Sequence, residues 1–191
     1  LFTQLIRADQ SRSTAFTNPT AAVENLIAAD KYLTALRANG AAGLNALKRL
    51  TDNDALKSIN ATGGLTVDEI EAQFQIVGTG IAEAFFTRLI KQDQSRSSAY
   101  TRPEQAVADL IAADRFLSAL RNNNFAGLNA LKQLSSDAAI DSIDPTGGLN
   151  VDEIEALFTQ LYDANNQQTL AYTNPAAAVE MRADVRPCSA C

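Results

Sequence analysis

The chain has 191 residues, 46% of them apolar and 20% charged, with a formal net charge of −6 and a pI near 4.6. That is enough length and apolar content for a sizeable core, and the acidic balance argues against a nucleic-acid partner or an anionic membrane surface. No run approaches the ~20 apolar residues that span a bilayer, and the lack of any histidine removes the commonest general base and metal ligand.

In chain order, residue 1 falls inside a repeat and no stretch reads as a signal or transit segment, so a mature or trimmed product is the expectation. Phe2 maps onto Phe86, and this shift of 84 holds without a gap to Phe158, with more than half of the paired positions identical. The blocks DQSRS (Asp9–Ser13, Asp93–Ser97), LIAAD (Leu26–Asp30, Leu110–Asp114) and GLNALK (Gly43–Lys48, Gly127–Lys132) occur in both copies. A third, partial copy starts at Phe158, and AYTNPAAAV (Ala171–Val179) matches AYTRPEQAV (Ala99–Val107). The organisation is therefore a first helical unit at 1–74, a helical spacer at 75–85, a second unit at 86–157, a partial third at 158–181 and a tail at 182–191.

Each unit reads as helices. Asn18 is placed as an N-cap with Pro19 in the first turn, and Asn39-Gly40 closes that helix. Val23, Leu26, Ile27, Asp30 and Leu33 recur at helical spacing and are expected on one face. A short helix with Leu44, Leu47 and Leu50 follows. The phrases TGGLTVDEIEA (Thr62–Ala72) and TGGLNVDEIEA (Thr146–Ala156) predict capping boxes, Thr66 with Glu69 and Asn150 with Glu153, each starting a helix. Alternation is too rare for a sheet. The predicted fold is all-α, with tandem helical modules packed as a bundle or a solenoid-like array.

Few constellations carry chemistry. The TGG phrase also fits a worn calcium loop, with Ser58, Asn60, Thr62 and Glu69 in the first copy and Ser142, Asp144, Thr146 and Glu153 in the second; the shortage of carboxylates favours the cap. Asp30 and Asp114 lie within apolar stripes, where the expectation is an ion pair with Arg12 or Arg96 rather than a ligand contact. No nucleophile elbow accompanies the serines, and GTG at Gly78–Gly80 is a lone fragment rather than a phosphate loop. Cys188 and Cys191 form a C-x-x-C after VRP and read as a tail without chemistry, with a disulfide or redox pair as the alternative. No catalytic residues and no metal site are expected.

The order AVENLIAADKYL (Ala22–Leu33), AVADLIAADRFL (Ala106–Leu117), LNALK (Leu128–Lys132) and SIDPTGGLNVDEIEAL (Ser142–Leu157) resembles the peridinin–chlorophyll a-binding proteins, the soluble antenna of dinoflagellate chloroplasts. In that family an ALKAID helix leads to an LLKAAAEA helix, an SI turn and another long helix within a duplicated chain, and Asp30 and Asp114 fall where the ALKAID helix has its Asp. The resemblance implies pigment-binding positions just before the SI turn, where the family has a His pair that helps hold chlorophyll. Here those positions are Asp52 and Asn53, then Ser136 and Asp137. The cofactor is left unknown, with carotenoid and chlorophyll as those the family suggests. The expectation is a non-enzymatic, pigment-free extrinsic subunit or linker in the chloroplast thylakoid lumen, docked on photosystem or antenna membrane proteins. A soluble carotenoid–chlorophyll light-harvesting protein is the first alternative and a weak calcium-binding adaptor the second. Phe125, which replaces Ala41, is the expected partner-binding residue, with packing into its own unit as the alternative.

Overall fold

A computed structural model describes residues 10–74, 89 and 95–183. The spacer 75–85, with Gly78–Gly80, and Cys188 and Cys191 of the tail lie outside the described residues. The fold is all-α: the described elements are α1 (Thr14–Thr17), α2 (Pro19–Leu50), α3 (Asp54–Ser58), α4 (Val67–Phe74), α5 (Ser98–Thr101), α6 (Pro103–Leu134), α7 (Ala138–Ser142), α8 (Val151–Phe158), α9 (Leu170–Thr173) and α10 (Pro175–Ala183). Single β bridges join Thr51 to Leu149 in parallel and Tyr162 to Gln168 antiparallel.

Local signals explain where these helices begin. The Asn18 side chain accepts from the Ala21 amide at 3.1 Å, with Pro19 in the first turn where a missing N–H costs nothing. Before α8, Asn150 accepts from the Glu153 amide at 3.0 Å and Glu153 accepts from the Asn150 amide at 2.9 Å. Thr66 and Glu69 repeat that exchange before α4, at 3.3 and 2.7 Å. Both expected capping boxes are formed.

The long helices break where Asn39-Gly40 ends the first periodic stretch. Asn39, Gly40 and Ala41 have φ of 52°, 69° and 62°, and Asn123, Asn124 and Phe125 have φ of 53°, 54° and 62°. This left-handed turn redirects the chain, so the segment with Leu44, Leu47 and Leu50 folds back as a separate helical piece of α2. Asn and Gly tolerate the conformation, whereas Ala41 and Phe125 pay for a Cβ crowded against the backbone. Phe125 is half-buried and packs against the core rather than standing out as an anchor.

The core is continuous. Tyr32, Leu36, Leu44, Leu47, Leu50, Leu56 and Ile59 are fully enclosed, as are Leu110, Phe116, Leu120, Leu128, Ile140 and Ile143. The helix α2 packs against α6, and α6 packs against α10.

Two tests follow from these elements. Ala41→Gly should raise stability by about 0.5–1 kcal/mol in urea unfolding, because relief of the left-handed strain exceeds the added chain entropy. The second concerns Glu69, whose carboxyl burial pushes up but whose bonds from Thr66 and Ser58, with Arg37 nearby, bring below its ordinary range. Stability from such a group is complete above about pH 4.3 and is lost as pH falls through the lower folded value. Glu69→Gln should therefore lower the neutral plateau of a Tm-against-pH curve and flatten its acid limb, with the two proteins converging at low pH.

Candidate functional site: the junctions between units

The face of α2 read as one stripe is two. Ala22, Ala29, Tyr32, Leu33 and Leu36 point into the core, but Val23 and Ile27 are 54% and 50% exposed, and Asp30 is exposed beside them. On α6 the equivalent flank is covered: Val107 is 6% exposed, Ile111 is packed at the edge of the core and Asp114 is buried. The difference comes from neighbours, since α6 has α2 against it.

Four contacts of different chemistry make that junction. Val107 Cγ1 occupies the space a side chain at Gly43 would need, so the glycine lets α6 approach the α2 backbone. Asp114 receives a two-pronged ion pair from Arg49, with Nε to Oδ1 at 2.8 Å and Nη2 to Oδ2 at 2.5 Å. Leu149 is fully buried, donates its amide to the Leu50 carbonyl at 2.5 Å and accepts from the Asp52 amide at 3.2 Å. Gly148 lies against Thr51, where an added Cβ would stand 2.5 Å from the carbonyl oxygen. The ion pair corrects the expected partner of Asp114, which is Arg49 rather than Arg12 or Arg96. Arg96 instead pairs with Glu24 at 2.5 Å and stacks over Tyr100, and Arg12 lies over Phe16. A pairing that spans 65 residues has no local signature, so the charge in the stripe was legible and its partner was not.

The next junction reuses the first contact. Val179 of α10 fills the space beside Gly127 just as Val107 does beside Gly43. The rest differs: Gln133 stands where Arg49 stood, and Leu134 is 54% exposed where its counterpart Leu50 is enclosed.

The positions suggested for pigment are engaged locally. Asn53 caps α3, accepting from the Ala55 and Leu56 amides at 3.0 and 3.2 Å, and Asp137 caps α7, accepting from Ala139 at 2.9 Å. Asp52 contributes its backbone to the junction, and Ser136 is exposed. The loop residues are likewise occupied. Ser58 donates to Glu69 at 2.9 Å and Ser142 to Glu153 at 2.8 Å. Asp144 receives the Thr146 amide and hydroxyl and the Gly147 amide at 2.6, 2.9 and 2.7 Å, which hold its carboxyl below the usual range.

One feature escaped the sequence reading. Asp109 is buried and accepts from Tyr162 Oη at 2.6 Å and Gln105 Nε2 at 2.8 Å, beside a polar cleft of about 480 Å³ that Arg102 and Gln168 help to line. Burial, reinforced by the bond to Asp109, pushes the Tyr162 phenol far above its ordinary range. The first unit has Asn25 in place of Asp109, so the repeat pattern gave no emphasis to this position.

Comparison with protein-family models, curated proteins and solved structures finds no match. In the described residues no helix is long and apolar enough to cross a membrane, and no group of three His, Cys, Asp or Glu could hold a metal ion.

Arg49→Ala should destabilise the chain by about 1 kcal/mol in urea unfolding: Asp114 loses its cation, but the 58% exposure of the Arg49 side chain limits the loss. Asp114→Asn added to Arg49→Ala should cost less than the sum of the single changes, the signature of a shared contact.

Proposed function

We propose that the protein works by docking, without turning over a substrate, as a stack of helical modules whose flat faces meet in one repeated register. The observation that carries this reading is the Val23–Ile27–Asp30 flank. Its counterpart on α6 is a working packing surface, and here the same surface faces solvent. Single exposed apolar residues are ordinary, whereas two on one flank beside a carboxylate that has a cation in the other copy form a patterned surface. Use of Asn53 and Asp137 as helix caps favours docking over a pigment carrier. Enclosure of the Glu69 and Glu153 carboxylates in capping boxes favours a structural role over a calcium site.

The setting we propose is the chloroplast thylakoid lumen, as an extrinsic subunit or linker on photosystem or antenna membrane proteins. This part rests on the resemblance to the peridinin–chlorophyll a-binding proteins. A pull-down from thylakoid membranes with the tagged chain should recover photosystem or antenna proteins, and a high-salt wash should release it if polar contacts dominate. Val23→Asp/Ile27→Asp should reduce that recovery. Capture of soluble, non-plastid partners alone would end the proposal.

A further inference from the structure

The two units carry the same face-building residues in different surroundings. Four positions of the second unit meet the first: Val107, Asp114, Gly148 and Leu149. Their counterparts are Val23, Asp30, Gly64 and Leu65. Val107 is 6% exposed and Val23 54%. Asp114 is paired with Arg49, while no cation among the described residues pairs with Asp30. Gly148 lies against the Thr51 carbonyl, while nothing lies within 4 Å of a Cβ placed on Gly64. Leu149 is fully enclosed by its bonds to Leu50 and Asp52, while Leu65 is only half-buried. Every element of the junction is thus present on the first unit, and among the described residues no surface completes it.

From this we infer that the Val23–Asp30–Leu65 face is a docking surface for one more module of the first unit's type, seated through that module's own Gly43 and Arg49. The inference rests on the docking reading and names the partner that the face accepts. Charge and shape both select this occupant. Close seating of Val23 requires a glycine where Gly43 stands, and Asp30 requires a cation where Arg49 stands. A second copy of this chain meets neither condition, because Val179 already fills the space beside Gly127 and position 133 is Gln. Such a contact is head-to-tail rather than self-complementary, so it adds units in line and does not close into a symmetric dimer.

The test uses the full chain with residues 1–84 repeated ahead of Leu1, which places a second Gly43 and Arg49 one repeat before Val23 and Asp30. The expected result is a single thermal transition above that of the 191-residue chain. Val23→Asp/Ile27→Asp in the original unit should lower that midpoint by about 5 °C or more while shifting the unextended chain by about 1 °C or less. The effect of Asp30→Asn should vanish when the added Arg49 is Gln. Two separate transitions, an added unit that does not fold, or equal effects of Val23→Asp/Ile27→Asp in both chains would each overturn the inference. Sedimentation of the unextended chain supplies the other arm. A monomer is expected, and self-association abolished by Val23→Asp/Ile27→Asp would assign the face to a second copy instead. The thylakoid pull-down reads docking independently, so a failed extension with a Val23-sensitive pull-down removes this partner and leaves the docking reading intact.

Discussion

The approach of α6 to α2 at Gly43 sets the geometry on which the other junction contacts depend. With hydrogen in place of a side chain, Val107 can reach the α2 backbone, and interiors packed at crystal-like density leave no slack for an extra methyl there. At that separation the Arg49 guanidinium takes both oxygens of Asp114, and Leu149 bonds to Leu50 and bridges to Thr51. The apolar contact fixes distance, the ion pair fixes rotation and the backbone bridge fixes register. Repetition of the glycine–valine contact at Gly127 and Val179 gives α10 the same seat on α6.

This arrangement places different demands on the two sides of one helix. The core side of α2 is filled with Ala22, Ala29, Tyr32 and Leu36, which are buried in the continuous core. The flank that holds Val23 and Ile27 is exposed among the described residues. On the docking reading proposed above, one apolar stripe serves the helix's own unit and the other a neighbour, as in stacked helical repeats. The left-handed turn at Asn39–Ala41 serves the same end, since it folds the segment bearing Gly43 and Arg49 back to where the next unit meets it.

The buried polar groups show how such packing treats charge. Asp114 is paired with an arginine from another unit, and Asp109 accepts hydrogen bonds from Tyr162 and Gln105. Glu69 and Glu153 sit at helix starts, where backbone amides and the helix dipole favour a carboxylate. Each of these buried acids has bonding partners, so acidic residues in the stripes are compatible with a stable fold.

Much of the local structure was legible in the sequence because its causes are local. A cap needs a side chain within three residues of the amide it accepts from, and Asn18, Thr66 and Asn150 declare themselves on that scale. The break after Asn39-Gly40 and the enclosed Leu44, Leu47 and Leu50 follow from backbone preference and helical period. Other features were decided by tertiary structure. Val23 and Val107 occupy the same place in nearly the same phrase, yet one is in solvent and the other in the core, because burial depends on what arrives from elsewhere in the chain. Arg49 was not identified as the partner of Asp114, nor Tyr162 as that of Asp109, since pairings across 65 and 53 residues leave no trace in spacing. Phe125 looked like an anchor by contrast with Ala41, but its side chain packs against the core beside the left-handed turn. The sequence by itself determined where helices start, stop and turn, through short-range bonding and backbone sterics. Which faces meet, and which charges are thereby neutralised, was settled only when distant segments packed together.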